Sequence, residues 1–145
     1  MKFTELHLSE TVLRGIDEAG FTDCTPIQEK SLPLALAGKD IAGQAQTGTG
    51  KTAAFLITMF TKLLAKEKEG KEHHPRALIL APTRELVVQI EKDAQLLGKH
   101  AGLTIQAIYG GVDYMKQRDA LKEGTDVVIG TPDLTMVTSR DIFSQ

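Results

Sequence analysis

Eight consecutive residues concentrate the chemistry that this chain could perform: Ala45, Gln46, Thr47, Gly48, Thr49, Gly50, Lys51 and Thr52. Gly48 and Gly50 allow backbone N–H groups to converge on an anion without side-chain obstruction. Lys51 can carry its ammonium to the outer phosphates of a nucleoside triphosphate, and the Thr52 hydroxyl can ligate Mg²⁺. A helix beginning at Lys51 would add its positive dipole end. The run fits the phosphate-loop pattern, except that Ala45 stands at the first glycine position. The plainer alternative is a glycine turn followed by a lysine at a helix start.

Such a loop needs a strand before it and a helix after it. Asp40–Gln44 is a short strand candidate. From Lys51 a strongly periodic helix places Phe55, Leu56, Met59, Phe60, Leu63 and Leu64 on one buried face. Upstream, Ser9 is expected to cap a helix with Val12, Leu13, Ile16 and Ala19 inward and Gly20 as its stop. Thr25-Pro26-Ile27-Gln28 predicts a second helix start. Threonine sits at the cap, proline at the first turn, and a glutamine three after the cap closes a capping box. Pro33 is expected to kink or break that helix, and Gly38 to end it.

Downstream, Ala77–Ala81 (ALILA) reads as a strand buried on both faces. A helix from about Arg84 to Gly98 follows, with Leu86, Ile90, Ala94 and Leu97 inward. Leu103–Tyr109 is a third strand, Asp113–Lys122 a helix, and Asp126–Ile129 a fourth strand. Strands alternating with amphipathic helices predict a three-layer α/β domain with a parallel sheet. Lys66–Glu72 reads as a solvated helix end and loop. His73-His74 has no third ligand at useful spacing, which favours an exposed loop over a metal site.

Composition narrows the class further. A chain of 145 residues with 41% hydrophobic content fits one domain with an unstapled core. A net charge of −2 excludes a globally basic nucleic-acid binder but leaves room for a local basic face. The single cysteine, Cys24, excludes an internal disulfide framework and a thiolate-rich zinc site; it reads as a small, partly buried apolar residue. The N-terminus shows no signal pattern and no apolar run reaches membrane-spanning length, so a cytoplasmic protein without membrane contact is expected.

Five segments occur in order: Gly20-Phe21…Thr25-Pro26-Ile27-Gln28; AQTGTGKT at 45–52; Pro82-Thr83-Arg84-Glu85-Leu86; Gly110-Gly111; and Thr131-Pro132. The series resembles the first RecA-like lobe of DEAD-box ATP-dependent RNA helicases, and the bacterial members most closely, from Phe3 to about Pro132. The resemblance implies a RecA-like P-loop domain, with ATP and Mg as cofactors and RNA as partner. Gln28 would then read adenine, because a glutamine amide carries both an acceptor and donors, whereas guanine would break half the pairing. Phe21 would stack on the base, Phe3 would match the family's upstream aromatic, and Thr25 and residues 45–52 would complete the nucleotide site. Pro82, Thr83, Arg84, Gly110, Gly111, Thr131 and Pro132 would face the RNA backbone, with Gln117, Leu121 and Gly124 at family-typical spacing. Read without the resemblance, Gln28 is equally a capping residue, Thr83 a helix cap, Gly110-Gly111 a tight turn and the phenylalanines core.

Asp133 and Leu134 stand where the family continues with glycine and arginine, and 133–145 reads as a divergent tail after the partial lobe at 1–132. The motif expected to hold Mg²⁺ and position water, Asp-Glu-Ala-Asp, does not occur; Asp17-Glu18-Ala19-Gly20 lies on a helix before the phosphate loop. An incomplete lobe is expected: weak Mg·ATP and RNA binding, hydrolysis near background despite Lys51 and Thr52, and self-association through an unpaired sheet edge. The alternative is a non-catalytic nucleotide- or RNA-binding module. A small P-loop kinase would leave Gln28 unexplained and lacks an arginine-bearing lid.

Overall fold

The computed structural model describes residues 1–44, 50–65, 75–109 and 114–132. After a single turn of 3-10 helix at Phe3–Leu6 come α1 (Glu10–Glu18), α2 (Pro26–Leu36), α3 (Lys51–Ala65), β1 (Ala77–Leu80), α4 (Arg84–Leu97), β2 (Ile105–Ile108), α5 (Tyr114–Lys122) and β3 (Val127–Gly130). The chain is α/β, with a three-stranded parallel sheet and five α-helices among the described residues. It divides into two compact units: Met1–Glu67 with Asp93–Gly102, and Lys68–Lys92 with Leu103–Gln145.

In the first unit the helix ends follow from the local sequence. The Ser9 hydroxyl accepts from the Val12 N–H at 3.5 Å, and Val12 and Ile16 are buried. Gly20, at φ 86°, lets its own N–H reach the Asp17 carbonyl and that of Phe21 reach Ile16, closing α1. A Cβ at Gly15 would collide with the Leu97 carbonyl, so glycine permits that close approach. Gly38, at φ 92°, closes α2 with the same pair of bonds. Pro33 does not break α2, which runs through it to Leu36. Pro33 and Glu29, whose carbonyl loses its N–H partner, both lie on the exposed side, where water replaces the bond.

Two further expectations fail in this unit. Residues 40–44 form no strand: they are irregular and exposed, with Ile41 the only β-branched residue beside a glycine. In α3 the buried set is Ala53, Ala54, Leu56, Ile57, Phe60 and Leu63, whereas Phe55 and Leu64 are exposed. The small alanines bring that side of the helix closest to its neighbours, including α2, whose Leu32 is fully buried.

The second unit holds the sheet, in the order β1-β3-β2 and parallel throughout. Leu80, Gly130 and Ile108 share one register, so the carboxyl ends of all three strands emerge together. Central β3 is buried on both faces. β1 is not: Leu78 is 55% exposed and Leu80 52%, both on one face of the strand, while Ala77 and Ile79 on the other face are half-buried. Ile108, Leu121 and Val128 form a buried cluster that fixes α5 on the sheet. At the amino end of the strands Asp126 acts as a staple. Its carboxylate accepts from the Thr104 N–H at 2.9 Å and pairs with Arg76 at 3.4 Å, while its carbonyl accepts from the N–H groups of Arg76 and Ala77. Along α4 the buried residues are Val87, Ile90, Ala94 and Leu97; Leu86, expected inward, is exposed.

Candidate functional site

The nucleotide-site candidates in the first unit meet at the amino ends of α2 and α3. The expected capping box forms. The Thr25 hydroxyl accepts from the Gln28 N–H at 3.4 Å, and Gln28 Oε1 accepts from the Thr25 N–H at 2.9 Å. The other end of the same amide is also engaged, since Gln28 Nε2 donates to the Gly50 carbonyl at 3.1 Å. Gln28 is 1% exposed, so both functions of its amide are satisfied in a dry setting. Gly50 is constrained from two sides. Its φ of 89° disfavours any L side chain, and a Cβ would overlap the Gln28 amide nitrogen. Lys51 opens α3 on an exposed position and Thr52 follows, half-buried. Ala45, Gln46, Thr47, Gly48 and Thr49 lie outside the described residues.

Phe21 presents an exposed ring whose centroid lies 6.5 Å from that of buried Phe3. The segment carrying Phe21 is held from behind. Lys2 and Asp23 form an isolated antiparallel bridge, and the Cys24 N–H donates to the Met1 carbonyl at 2.8 Å. Burial pushes the Cys24 thiol above its ordinary pKa, which keeps it protonated and poorly nucleophilic. Within Asp17-Glu18-Ala19-Gly20, Glu18 is engaged on the surface, 2.8 Å from His100 Nε2 and 3.7 Å from the Lys99 ammonium. The hydrogen bond with His100 holds the Glu18 carboxyl below the usual carboxylate range.

The second unit brings another set together at the carboxyl ends of its strands, the end at which open parallel sheets bind ligands. Pro82, Thr83 and Arg84 follow β1, and all three are exposed. The Thr83 hydroxyl accepts from the Leu86 N–H at 3.3 Å, capping α4. Thr131 and Pro132 follow β3, half-buried and exposed. Gly110 and Gly111 lie outside the described residues, as do 66–74 and 133–145. Sequence reasoning missed Tyr109, which precedes that glycine pair. Its N–H donates to Gln117 Oε1 at 2.9 Å, its carbonyl accepts from Gln117 Nε2 at 3.2 Å, and its ring lies under the Arg84 guanidinium. An aromatic at the carboxyl end of a strand was the available signal. No cluster of three potential metal ligands occurs among the described residues.

The profile of the DEAD/DEAH box helicase family matches residues 25–144. The chain belongs to that family. Its α/β architecture with a parallel sheet accords with the RecA-like fold of DEAD domains. Among similar DEAD-box proteins is the ATP-dependent RNA helicase RhlB of Xanthomonas axonopodis pv. citri, 54% identical over 132 residues, which covers 90% of this chain and 23% of the relative. RhlB of Shewanella piezotolerans is 55% identical over 132 residues, covering 90% and 30%. RhlB of Pasteurella multocida is 55% identical over 131 residues, covering 90% and 31%. The chain thus spans between 23% and 31% of the length of these relatives. No helix among the described residues is long and apolar enough to cross a membrane.

Proposed function

We propose that these 145 residues form the ATP-binding and RNA-contacting part of a cytoplasmic DEAD-box ATP-dependent RNA helicase, binding Mg·ATP weakly without turning it over unaided. The observation that carries the reading is the bond from Gln28 to the Gly50 carbonyl, which ties the residue proposed to read adenine to the last glycine of the phosphate loop; pairing with the base requires the amide to exchange its bonds to Gly50 and Thr25. The donor set fits a nucleotide. Gly50 leaves no room for a side chain, Lys51 would meet the outer phosphates, Thr52 would ligate Mg²⁺, and Phe21 offers an exposed face for the base. When bound, Mg²⁺ supplies charge neutralisation at the phosphates.

Exposed Thr83 and Arg84, beside Pro82 at the start of α4, and Thr131 with Pro132 after β3 support contact with an RNA backbone. Gly110 and Gly111 would join them. Hydrolysis needs a carboxylate for Mg²⁺ and a group that positions water. Glu18 is engaged with His100 and Lys99, and Asp126 with Arg76 and Thr104. Strand β3 runs into Thr131 without an acid. Phosphate release by the purified chain is the test. Release at background level, equal in wild type and Lys51→Ala, is expected. Steady turnover abolished by Lys51→Ala would overturn the reading.

A further inference from the structure

Arg84 occupies the first position of α4, directly after the Thr83 cap, where the helix dipole disfavours a cation. Among the described residues it has no carboxylate partner. Its guanidinium carbon instead lies 5.2 Å from the centroid of the Tyr109 ring. The backbone that carries the ring is held in place. Buried Gln117 clamps both the N–H and the carbonyl of Tyr109, and Leu121, one turn further along α5, packs with Ile108 and Val128.

A guanidinium held over an aromatic ring keeps N–H donors available to an anion, whereas a carboxylate would consume them. A long side chain ordered beforehand also loses less freedom when a ligand binds. We propose that Tyr109 is the positioning residue for Arg84, holding its donors ready for a phosphodiester; this rests on the RNA-contact reading above. Gln117 acts one step behind, by fixing the Tyr109 peptide. Tyr109 itself need not touch the nucleic acid.

The test is the affinity of the full 145-residue chain for a short fluorescein-labelled oligouridine over a salt series, with the Arg84 side-chain proton shifts recorded by NMR. In wild type and Tyr109→Phe, ring current moves the Arg84 resonances upfield and affinity is equal. Tyr109→Leu abolishes the ring shift and weakens binding roughly three- to tenfold, with the salt slope retained because the charge remains. Arg84→Gln lowers the salt slope by about one, and adding Tyr109→Leu to it costs nothing further. Wild-type affinity in Tyr109→Leu, or an undiminished loss in the Arg84→Gln background, would overturn the positioning role. Absence of the ring shift in wild type would do the same. A normal ring shift without salt-sensitive RNA binding would overturn the RNA-contact reading and the proposal with it.

Discussion

Gln28 shows how much one side chain can be asked to do. Its amide completes a capping box at one end and holds the Gly50 carbonyl at the other, and it is buried while doing so. The capping role was legible from Thr25-Pro26-Ile27-Gln28, because i to i+3 chemistry is local. The bond to Gly50 was not, since it spans 22 positions of sequence. Gly50→Ala tests that junction: a positive φ and an overlap with the Gln28 amide should cost about 2–4 kcal/mol, read as a shift in urea unfolding, with nucleotide binding weakened in parallel. Glu18 offers a test by pH. Its folded pKa is depressed by the hydrogen bond with His100, so its stabilising contribution is present above its ordinary value of 4.5 and is lost as pH falls through the lower folded value. Wild type should therefore melt above Glu18→Gln at neutral pH, and the difference in midpoint should shrink as pH falls below 4.5. A difference that widens on acidification would contradict this assignment.

Elements whose limits are set by local chemistry are the legible ones. Ser9, Gly20, Thr25 and Gly38 mark helix ends in the sequence and do so in the structure. Side-chain direction was less legible, because it depends on neighbours distant in the chain. The continuous ALILA run offers no sign that one face of β1, the face of Leu78 and Leu80, is left exposed. The inward faces of α3 and α4 are each offset from expectation, toward Ala53 and Ala54 in one and Val87 in the other. The general effect of proline on helices predicts a kink or break at Pro33, but the sequence does not show that this position faces solvent. Pro33→Ala should restore a bond to the Glu29 carbonyl and stabilise the chain by about 1–2 kcal/mol after allowance for the looser unfolded state. An unchanged or lowered urea midpoint would show that the ring carries packing of its own.

At the scale of the whole molecule, two candidate surfaces are built by different means. The described nucleotide candidates gather where α2 and α3 begin, and the described RNA candidates follow the carboxyl ends of the parallel strands β1 and β3. The family resemblance named both groups of residues; local turn and cap chemistry alone left Gln28, Thr83 and the glycine pair open to plainer readings. Among the described residues β1 pairs on one side only, and the exposed leucines lie on one of its faces; both support the proposal that a second copy associates there. Sedimentation velocity should then show mass rising with concentration, and Leu78→Lys should reduce it; a monodisperse monomer at all concentrations would remove that proposal. The central claim is adenine-selective nucleotide binding by the Gln28–Gly50 junction. Calorimetric titration of the chain with Mg·ATP and Mg·GTP tests it most directly. The account predicts that ATP binds about tenfold more tightly; equal affinities, or no binding of either nucleotide, would contradict it.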